Sequence, residues 1–142
     1  MLGDLWVDGS IADWQEWSSL WVTGEVNAPA IHLCSWMWVG GTARIDTAIL
    51  GRYSTFYAGG GLDASVDLRD DSEGHGHLGE VRAGRRLDAD DDPAAVADAL
   101  RPEFYQWDSD GFLDIDHDAI VAAALAGRPV LADCTGQPSR SE

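Results

Sequence analysis

The segment from Ala30 to Gly61 reads AIHLCSWMWVGGTARIDTAILGRYSTFYAGGG, and it decides the fold predicted for this chain. Three runs rich in β-branched and aromatic residues are each closed by a break that contains glycine. A Gly-Gly pair between two apolar runs is typical of a tight β-hairpin turn. The segment therefore predicts three consecutive antiparallel strands, that is, a meander.

The register of the meander follows from its turns. If Gly40 and Gly41 are the two turn residues, Trp38 lies opposite Ala43, and a second turn at Gly51-Arg52 adds the third strand. Side chains alternate between the two faces of a strand, so one face should collect the large apolar residues. The predicted core face consists of Trp36, Trp38, Ile45, Ile49 and Phe56.

The opposite face of the predicted sheet is polar towards one end. In this register Ser35, Asp46 and Tyr57 are cross-strand neighbours, and Arg44 lies one position along. An ordinary half-solvated sheet face has a similar composition. Arginine and aromatic side chains are also enriched in binding patches, and a carboxylate beside a phenol can take part in acid–base chemistry. These four residues are candidate ligand- or partner-binding residues on the polar sheet face.

The segments that flank the meander predict helices and one further strand. Ser10 and Asp13 resemble a capping box that opens a helix ending near Gly24, with the tryptophans Trp14, Trp17 and Trp21 on one stripe. The alternation in LDASVDLR predicts a half-buried strand from Leu62.

Two more helices are expected near the C-terminus. Asp92 and Pro93 predict the start of a helix that runs from Ala94 to about Tyr105. Asp116 should cap a helix from Asp118 to Ala126 that Gly127 ends. The segments LWVDG, LWVTG and MWVGG look alike, but because their spacing is unequal we interpret the likeness as coincidence.

Together these elements predict an α+β fold. Residues 1–133 form a single domain, in which a Trp-rich antiparallel meander of four to five strands packs against an N-terminal helix and two C-terminal helices. Residues 134–142 form a polar C-terminal tail. The 142 residues are 45% hydrophobic, which suits one globular domain. Because the apolar runs are too short to span a membrane and no signal peptide precedes them, we expect a soluble cytoplasmic protein.

The charge of the chain narrows the classes of partner. It has 25 acidic residues against 9 basic ones, a net charge of −16, and every basic residue is arginine. Such a field repels phosphates and argues against direct nucleic-acid binding. The stretch Asp88–Asp118 carries eleven acids and one arginine, and within it Asp90, Asp91 and Asp92 are candidate contacts for a basic protein surface. General solubility or adaptation to salt would explain the same acidity.

Three further motifs suggest chemistry, and none is complete. The DSDGFLD segment after Trp107 has calcium-loop spacing, but Gln106 and His117 fall where the loop needs its first and last acids. His75 and His77 have metal-ligand spacing within a glycine-flanked turn. The glycines Gly59–Gly61 lack the lysine of a phosphate-binding loop. We therefore predict no catalytic residue, no metal site and no cofactor.

Two classes of function remain. The first is a non-catalytic binding, inhibitor or accessory protein that acts through protein–protein contacts. The alternative is a small enzyme or a small-molecule-binding protein with its site on the polar sheet face. The two cysteines do not discriminate between these two classes of function. Cys34 resembles a small core residue, and Cys134 has no histidine or second cysteine close by in the sequence.

Overall fold

A computed structural model describes residues 3–13, 19–51, 54–70 and 76–132 of the chain. Its strands are mostly parallel and wind into a β-solenoid of about 4 turns. The predicted antiparallel meander of an α+β domain is therefore wrong. Each strand of the solenoid pairs with a strand of the adjacent turn, instead of with its neighbour across a glycine turn.

Two parallel sheets form the walls of the solenoid. The short-strand sheet holds β3 (Ser19–Val22), β5 (Trp36–Val39), β7 (Thr55–Ala58) and β9 (Gly76–Leu78) in that order. The strands of the long-strand sheet are β1 (Leu5–Trp6), β2 (Ser10–Asp13), β4 (Val26–Leu33), β6 (Ala43–Leu50), β8 (Leu62–Arg69) and β10 (Val81–Asp88). In this sheet β4, β6, β8 and β10 are adjacent in turn, and β1 and β2 both pair with β4.

The register of the short-strand sheet shows that part of the repeat is real. Leu20 of LWVTG pairs with Met37 of MWVGG, seventeen residues later, and Met37 pairs with Phe56 of FYAGG. The interpretation of these two segments as coincidence is wrong. LWVDG is a separate case, because Leu5 pairs with Val26 in the other sheet.

The glycine pairs are corners of the solenoid and not hairpin turns. Gly41 N donates to Gly24 O and Gly60 N donates to Gly41 O, both at 2.9 Å, so the corner of one turn rests directly on the corner of the turn before. A Cβ on Gly40 would overlap the carbonyl oxygen of Thr23. Neither Gly40 nor Gly41 has the positive φ that a tight primed turn needs. Glycine is present here because two backbones approach closely.

The core face predicted for the meander is wrong in its register. Met37 and Val39 point into the solenoid and are buried, whereas Trp36 points outward and is 51% exposed. Trp38 shares the outer side with Trp36 and stacks between two other rings. The other three residues of that face are buried as predicted: Ile45, Ile49 and Phe56.

The predicted N-terminal helix is also wrong where the structure describes it. Ser10–Asp13 and Ser19–Val22 are strands β2 and β3. Trp14 and Trp17 lie outside the described residues, and Trp21 stacks on Trp38 with 5.5 Å between ring centroids. Trp21, Trp38 and Tyr57 thus form a ladder of stacked rings on the outside of three successive turns.

The long strands change the side they bury halfway along. In β6, Ala43 and Ile45 face the solenoid interior, and then Ala48 and Leu50 do so, which breaks the two-residue alternation once. In β4 the change falls at Pro29, which has no N–H for the ladder. As a result the second half of each long strand also presents large apolar residues outward.

Two helices and a hairpin cover this outward apolar surface. The second core contains Ile49, Val66 and Leu68 from the strands together with Val96 and Ile120 from the helices. The covering elements are α1 (Pro93–Ala99), a 3-10 turn (Pro102–Phe104), β11 (Tyr105–Trp107), β12 (Leu113–Ile115) and α2 (His117–Leu125).

The predicted helix starts are confirmed. The Asp92 carboxylate accepts from Ala95 N at 3.1 Å, and the Asp116 carboxylate accepts from Ala119 N at 3.0 Å. Gly127 adopts a φ of 72° after α2. The first helix is shorter than predicted, because the chain turns extended at Leu100, two residues before Pro102. No helix within the described ranges has the length and hydrophobicity to cross a membrane.

The stacked corners predict that one added methyl group strongly lowers the stability of the fold. Replacing Gly40 with alanine should lower the free energy of unfolding by about 2 kcal/mol or more, because the Thr23 carbonyl is backbone and cannot move aside without a shift of the whole turn. Gly9→Ala is the matched control, since a Cβ there meets nothing within 4 Å. Urea unfolding of both variants measures the difference. Equal stabilities would contradict the stacked corner.

Candidate functional site

A cleft of about 490 Å³ opens where the helical cover meets the long-strand sheet. Four carboxylates lie around it, and the described lining contains no arginine. We call it the acidic cleft. Its lining residues are His32, Glu103, Tyr105, Gln106, Asp114, Ile115, Asp116, His117 and Asp118.

The hairpin and α2 set the positions of the carboxylates. In the β11–β12 pair, Gln106 lies opposite Asp114, so both side chains project from the same face of the hairpin. Asp116 follows β12 directly and caps α2, so its carboxylate is held by the helix N-terminus. Asp118 stands in the first turn of α2. Negative charge at a helix N-terminus is favourable, and this helps to explain why the acids are tolerated together.

Two histidines from different layers meet at the floor of the cleft. His32 belongs to β4 and is 3% exposed, and its ring lies 4.7 Å from that of His117 in an edge arrangement. His117 Nε2 is 2.7 Å from the Asp70 carboxylate. His32 Nε2 lies 3.9 Å from Cys34 Sγ. The floor therefore joins a strand, the end of β8 and the first turn of α2.

Burial, and next the charge of His117, lower the pKa of His32 to about 4, although Asp118 and Asp70 act in the opposite direction. At neutral pH His32 is therefore uncharged, while the acids at the mouth of the cleft are exposed. A cleft with this charge distribution favours a cationic group.

The histidines and carboxylates do not form a metal centre within the described residues, since no three metal-ligating side chains there are grouped closely enough to hold an ion. In the calcium-like segment, Asp108 Oδ1 accepts from the N–H groups of Asp110 and Phe112, so this carboxylate closes its own turn. His75 lies outside the described residues, as does Cys134.

The structure separates the four candidate residues of the predicted polar sheet face. Arg44 and Asp46 lie together on the outer face of β6, whereas Tyr57 is on the outer face of the other sheet, stacked on Trp38 at 5.9 Å. Ser35 is fully buried at a corner. The predicted cross-strand contact between Ser35, Asp46 and Tyr57 is therefore wrong, because β6 lies in the other sheet from β5 and β7.

Arg44 and Asp46 lie in a second concave surface of about 580 Å³, which we call the paired-charge groove. Along its outer row, Trp6, Asn27, Arg44, Asp63 and Arg82 occupy successive rungs of the sheet. Arg44 bridges to Glu25 at 2.8 Å, and Ser65 donates to Asp46 at 2.7 Å. Charges of both signs alternate here, in contrast to the acidic cleft.

The three consecutive aspartates lie in the turn between β10 and α1. The Asp88 carboxylate accepts from the N–H groups of Asp90 and Asp91, and Asp92 caps the helix. Asp90 and Asp91 are exposed, outside the described lining of the cleft.

Sequence reasoning missed the principal residues of the cleft floor. His32 reads as one residue of an apolar strand, and only the shift of alternation in β4 turns it outward. In the sequence, His117 stands at the last position of the calcium-like segment, where an acid is needed, and that pattern gives no sign of the cleft. The contact between His117 and Asp70 joins residues 47 positions apart, and no local pattern signals it.

Comparison with protein-family models, with curated protein sequences and with solved structures found no match for this chain. The arrangement of the cleft and the groove is therefore the basis for inferring function.

The buried histidine predicts a specific dependence of stability on pH. The unfolded chain binds a proton at His32 near pH 6.5, whereas the folded protein binds it only near 4, so acidification between these values favours unfolding. Stability should fall from pH 7 to pH 5 by up to about 1.4 kcal/mol per unit below pH 6.5. Urea unfolding of wild type and His32→Gln at both pH values measures this. The same pH dependence in both proteins would contradict the assignment.

Proposed function

We propose that the protein is a non-catalytic binding protein whose acidic cleft receives a basic segment of a protein partner. The observation that carries the proposal is the set of four exposed carboxylates, Glu103, Asp114, Asp116 and Asp118, around one concave surface that also contains the buried His32. A basic side chain entering there exchanges water for several carboxylate oxygens at once.

The lining favours arginine over lysine as the group that enters. A guanidinium has several N–H donors in a plane and binds carboxylates in pairs, and it also stacks on aromatic rings. Tyr105 is the aromatic residue of the lining, and Gln106 adds an amide oxygen. We infer that a partner segment places an arginine between Tyr105 and the carboxylates.

The remaining acids of Asp88–Asp118 contribute to the rate of association. With ten net negative charges in this stretch, a basic partner is attracted from a distance before it contacts the cleft. The proposal places this encounter in the cytoplasm, the location expected from the sequence.

Neutralising the cleft should weaken binding more than neutralising the acidic surface elsewhere. We expect Asp114→Asn with Asp118→Asn to reduce the affinity for arginine-containing peptides at least about tenfold, since each carboxylate–guanidinium contact contributes roughly 1 kcal/mol or more. The peptides are short arginine-rich sequences, measured by calorimetry at low and moderate salt. Asp116 is left unchanged because it caps α2.

Asp90→Asn with Asp91→Asn is the matched control, because it removes the same charge outside the described lining of the cleft. The control should associate more slowly than wild type, and this difference should shrink as the salt concentration rises. Its dissociation rate should be nearly unchanged. If the two double variants lose affinity equally, the acidity acts as a general field and the cleft is not a site. Equal binding of lysine- and arginine-rich peptides would refute the preference for arginine.

The paired-charge groove supports the alternative function, a small-molecule-binding protein. Arg44 and Asp46 of the predicted polar face both line it, together with the exposed ring of Trp6. A groove with adjacent donors and acceptors suits an uncharged polar ligand. Ser35 and Tyr57 do not line this groove among the described residues.

A ligand in the groove should protect against unfolding. Thermal-shift screening of neutral polar compounds against wild type and Arg44→Gln tests this, and hits should raise the Tm of wild type alone. The Arg44–Glu25 bridge is exposed, so its loss should change basal stability by less than about 1 kcal/mol. A screen in which every hit acts equally on both proteins would rule out the groove.

A further inference from the structure

The outer row of the paired-charge groove extends across five strands. It begins at Trp6 on β1 and continues through Asn27, Arg44 and Asp63 to Arg82 on β10, with one residue on each rung. Neighbouring rungs of a sheet lie about 4.8 Å apart, so the four intervals together span about 19 Å. A row of this length can contact several units of an extended ligand at once.

Ion pairs hold the charged side chains of the row in place and leave them accessible. Arg44 donates from Nη1 to the Glu25 carboxylate at 2.8 Å, and this bond uses one of the five N–H groups of the guanidinium. Arg82 pairs with both Asp63 and Glu80. The side chains of Arg44, Asp63 and Arg82 are nevertheless between 41% and 51% exposed. Planar hydrogen-bonding groups are therefore oriented before any ligand arrives, which lowers the entropy cost of binding.

Donors and acceptors alternate along the groove. The Asp63 carboxylate lies on the rung between Arg44 and Arg82, and the hydrogen bond from Arg82 lowers the pKa of Asp63, so this group is an ionised acceptor. Two residues further along the strands, the Asp46 carboxylate accepts from the Ser65 hydroxyl at 2.7 Å. A ligand group that both donates and accepts suits such a surface, and a hydroxyl is a group of that kind.

Trp6 and Asn27 give one end of the row a different character. Trp6 is 72% exposed and lines the groove. On the adjacent rung, the Nδ2 atom of Asn27 is shielded from solvent and has no hydrogen-bond acceptor among the described residues. A ligand oxygen that packs against this nitrogen would make a hydrogen bond that no described residue supplies. This end therefore combines an apolar ring with a donor that lacks an acceptor.

We propose that the paired-charge groove binds an uncharged oligosaccharide, with one sugar ring stacked on Trp6 and the next rings extending along the outer row. This inference rests on the alternative function of the groove and names the chemical class of its ligand. A sugar ring carries C–H groups on its faces, which pack against an indole, and hydroxyls around its edge. Adjacent hydroxyls can accept from a guanidinium and donate to a carboxylate, and Arg44 and Asp63 present these groups on neighbouring rungs.

The charges that line the groove disfavour ionic ligands of either sign. Three aspartates, Asp8, Asp46 and Asp63, line it together with Arg44 and Arg82. A phosphate or carboxylate would lie beside these aspartates, on a chain with a net charge of −16. A cation would lie beside two arginines, whereas the described lining of the acidic cleft contains none. An uncharged ligand with many hydroxyls avoids both penalties.

The test is calorimetric titration of the whole chain with four neutral oligosaccharides: cellohexaose, chitohexaose, mannohexaose and xylohexaose. At least one should bind with a dissociation constant in the millimolar range or below. Trp6→Ala should weaken that binding at least about tenfold, because the stacking surface is lost. Trp6→Tyr keeps a ring and should stay within a few-fold of wild type. Trp107→Ala is the matched control, because Trp107 is 48% exposed and lies outside the described lining of the groove.

Two further measurements complete the design. Circular dichroism shows whether each variant is folded, and we expect no change for Trp6→Ala because the side chain is largely exposed. An acidic oligosaccharide of equal length, hexagalacturonate, should bind at least about tenfold more weakly than the best neutral one, because of the aspartates in the lining.

The outcomes separate this inference from the function on which it rests. If none of the four neutral oligosaccharides binds, the oligosaccharide is refuted. Hits of the thermal-shift screen that still depend on Arg44 would then leave the groove as a site for another class of uncharged ligand, and the absence of such hits would refute the groove itself. Equal weakening in Trp6→Ala and Trp107→Ala, or tighter binding of hexagalacturonate than of every neutral oligosaccharide, would also overturn the proposal.

Discussion

The direct stacking of backbone at the glycine corners is the constraint on which the rest of the structure depends. The corner of each turn lies on the corner before it through N–H to C=O bonds, and the space between the turns admits no Cβ at Gly40. Once the corners are stacked, the strands that leave them are parallel and in register. The two sheets, the ladder of outward rings and the interior of small and branched residues all follow from that stacking.

The acidic cleft depends on a second departure from regular alternation. Strand β4 changes its buried side near Pro29, and β6 does so near Asp46. The second half of each strand therefore presents apolar side chains to the outside. The helices and the hairpin must cover this surface, and His32 becomes the floor of the cleft formed at their margin. The acids lie on the cover, where caps and turns favour aspartate. The acidic cleft therefore forms where the helical cover packs against the solenoid.

The features that are predicted correctly from the sequence are those set by contacts between residues close together in the chain. Asp92 and Asp116 are recognised as helix caps because a carboxylate three residues before a free N–H acts locally. The strand runs are recognised, but their partners are not, because the same Gly-Gly pair serves a hairpin turn and a solenoid corner. The signal that separates them is the seventeen-residue recurrence of Leu20-Trp21-Val22 in Met37-Trp38-Val39. The contact between His32 and His117 has no such signal.

The parallel register can be tested most directly by nuclear Overhauser contacts in the isotopically labelled protein. The account predicts backbone contacts between Met37 and Phe56, and between Leu20 and Met37, in the one-directional pattern of parallel strands. A hairpin would instead bring the α-protons of β5 close to those of β6, with Trp38 opposite Ala43. Contacts of that second kind, with none between Met37 and Phe56, would contradict the solenoid and everything inferred from it.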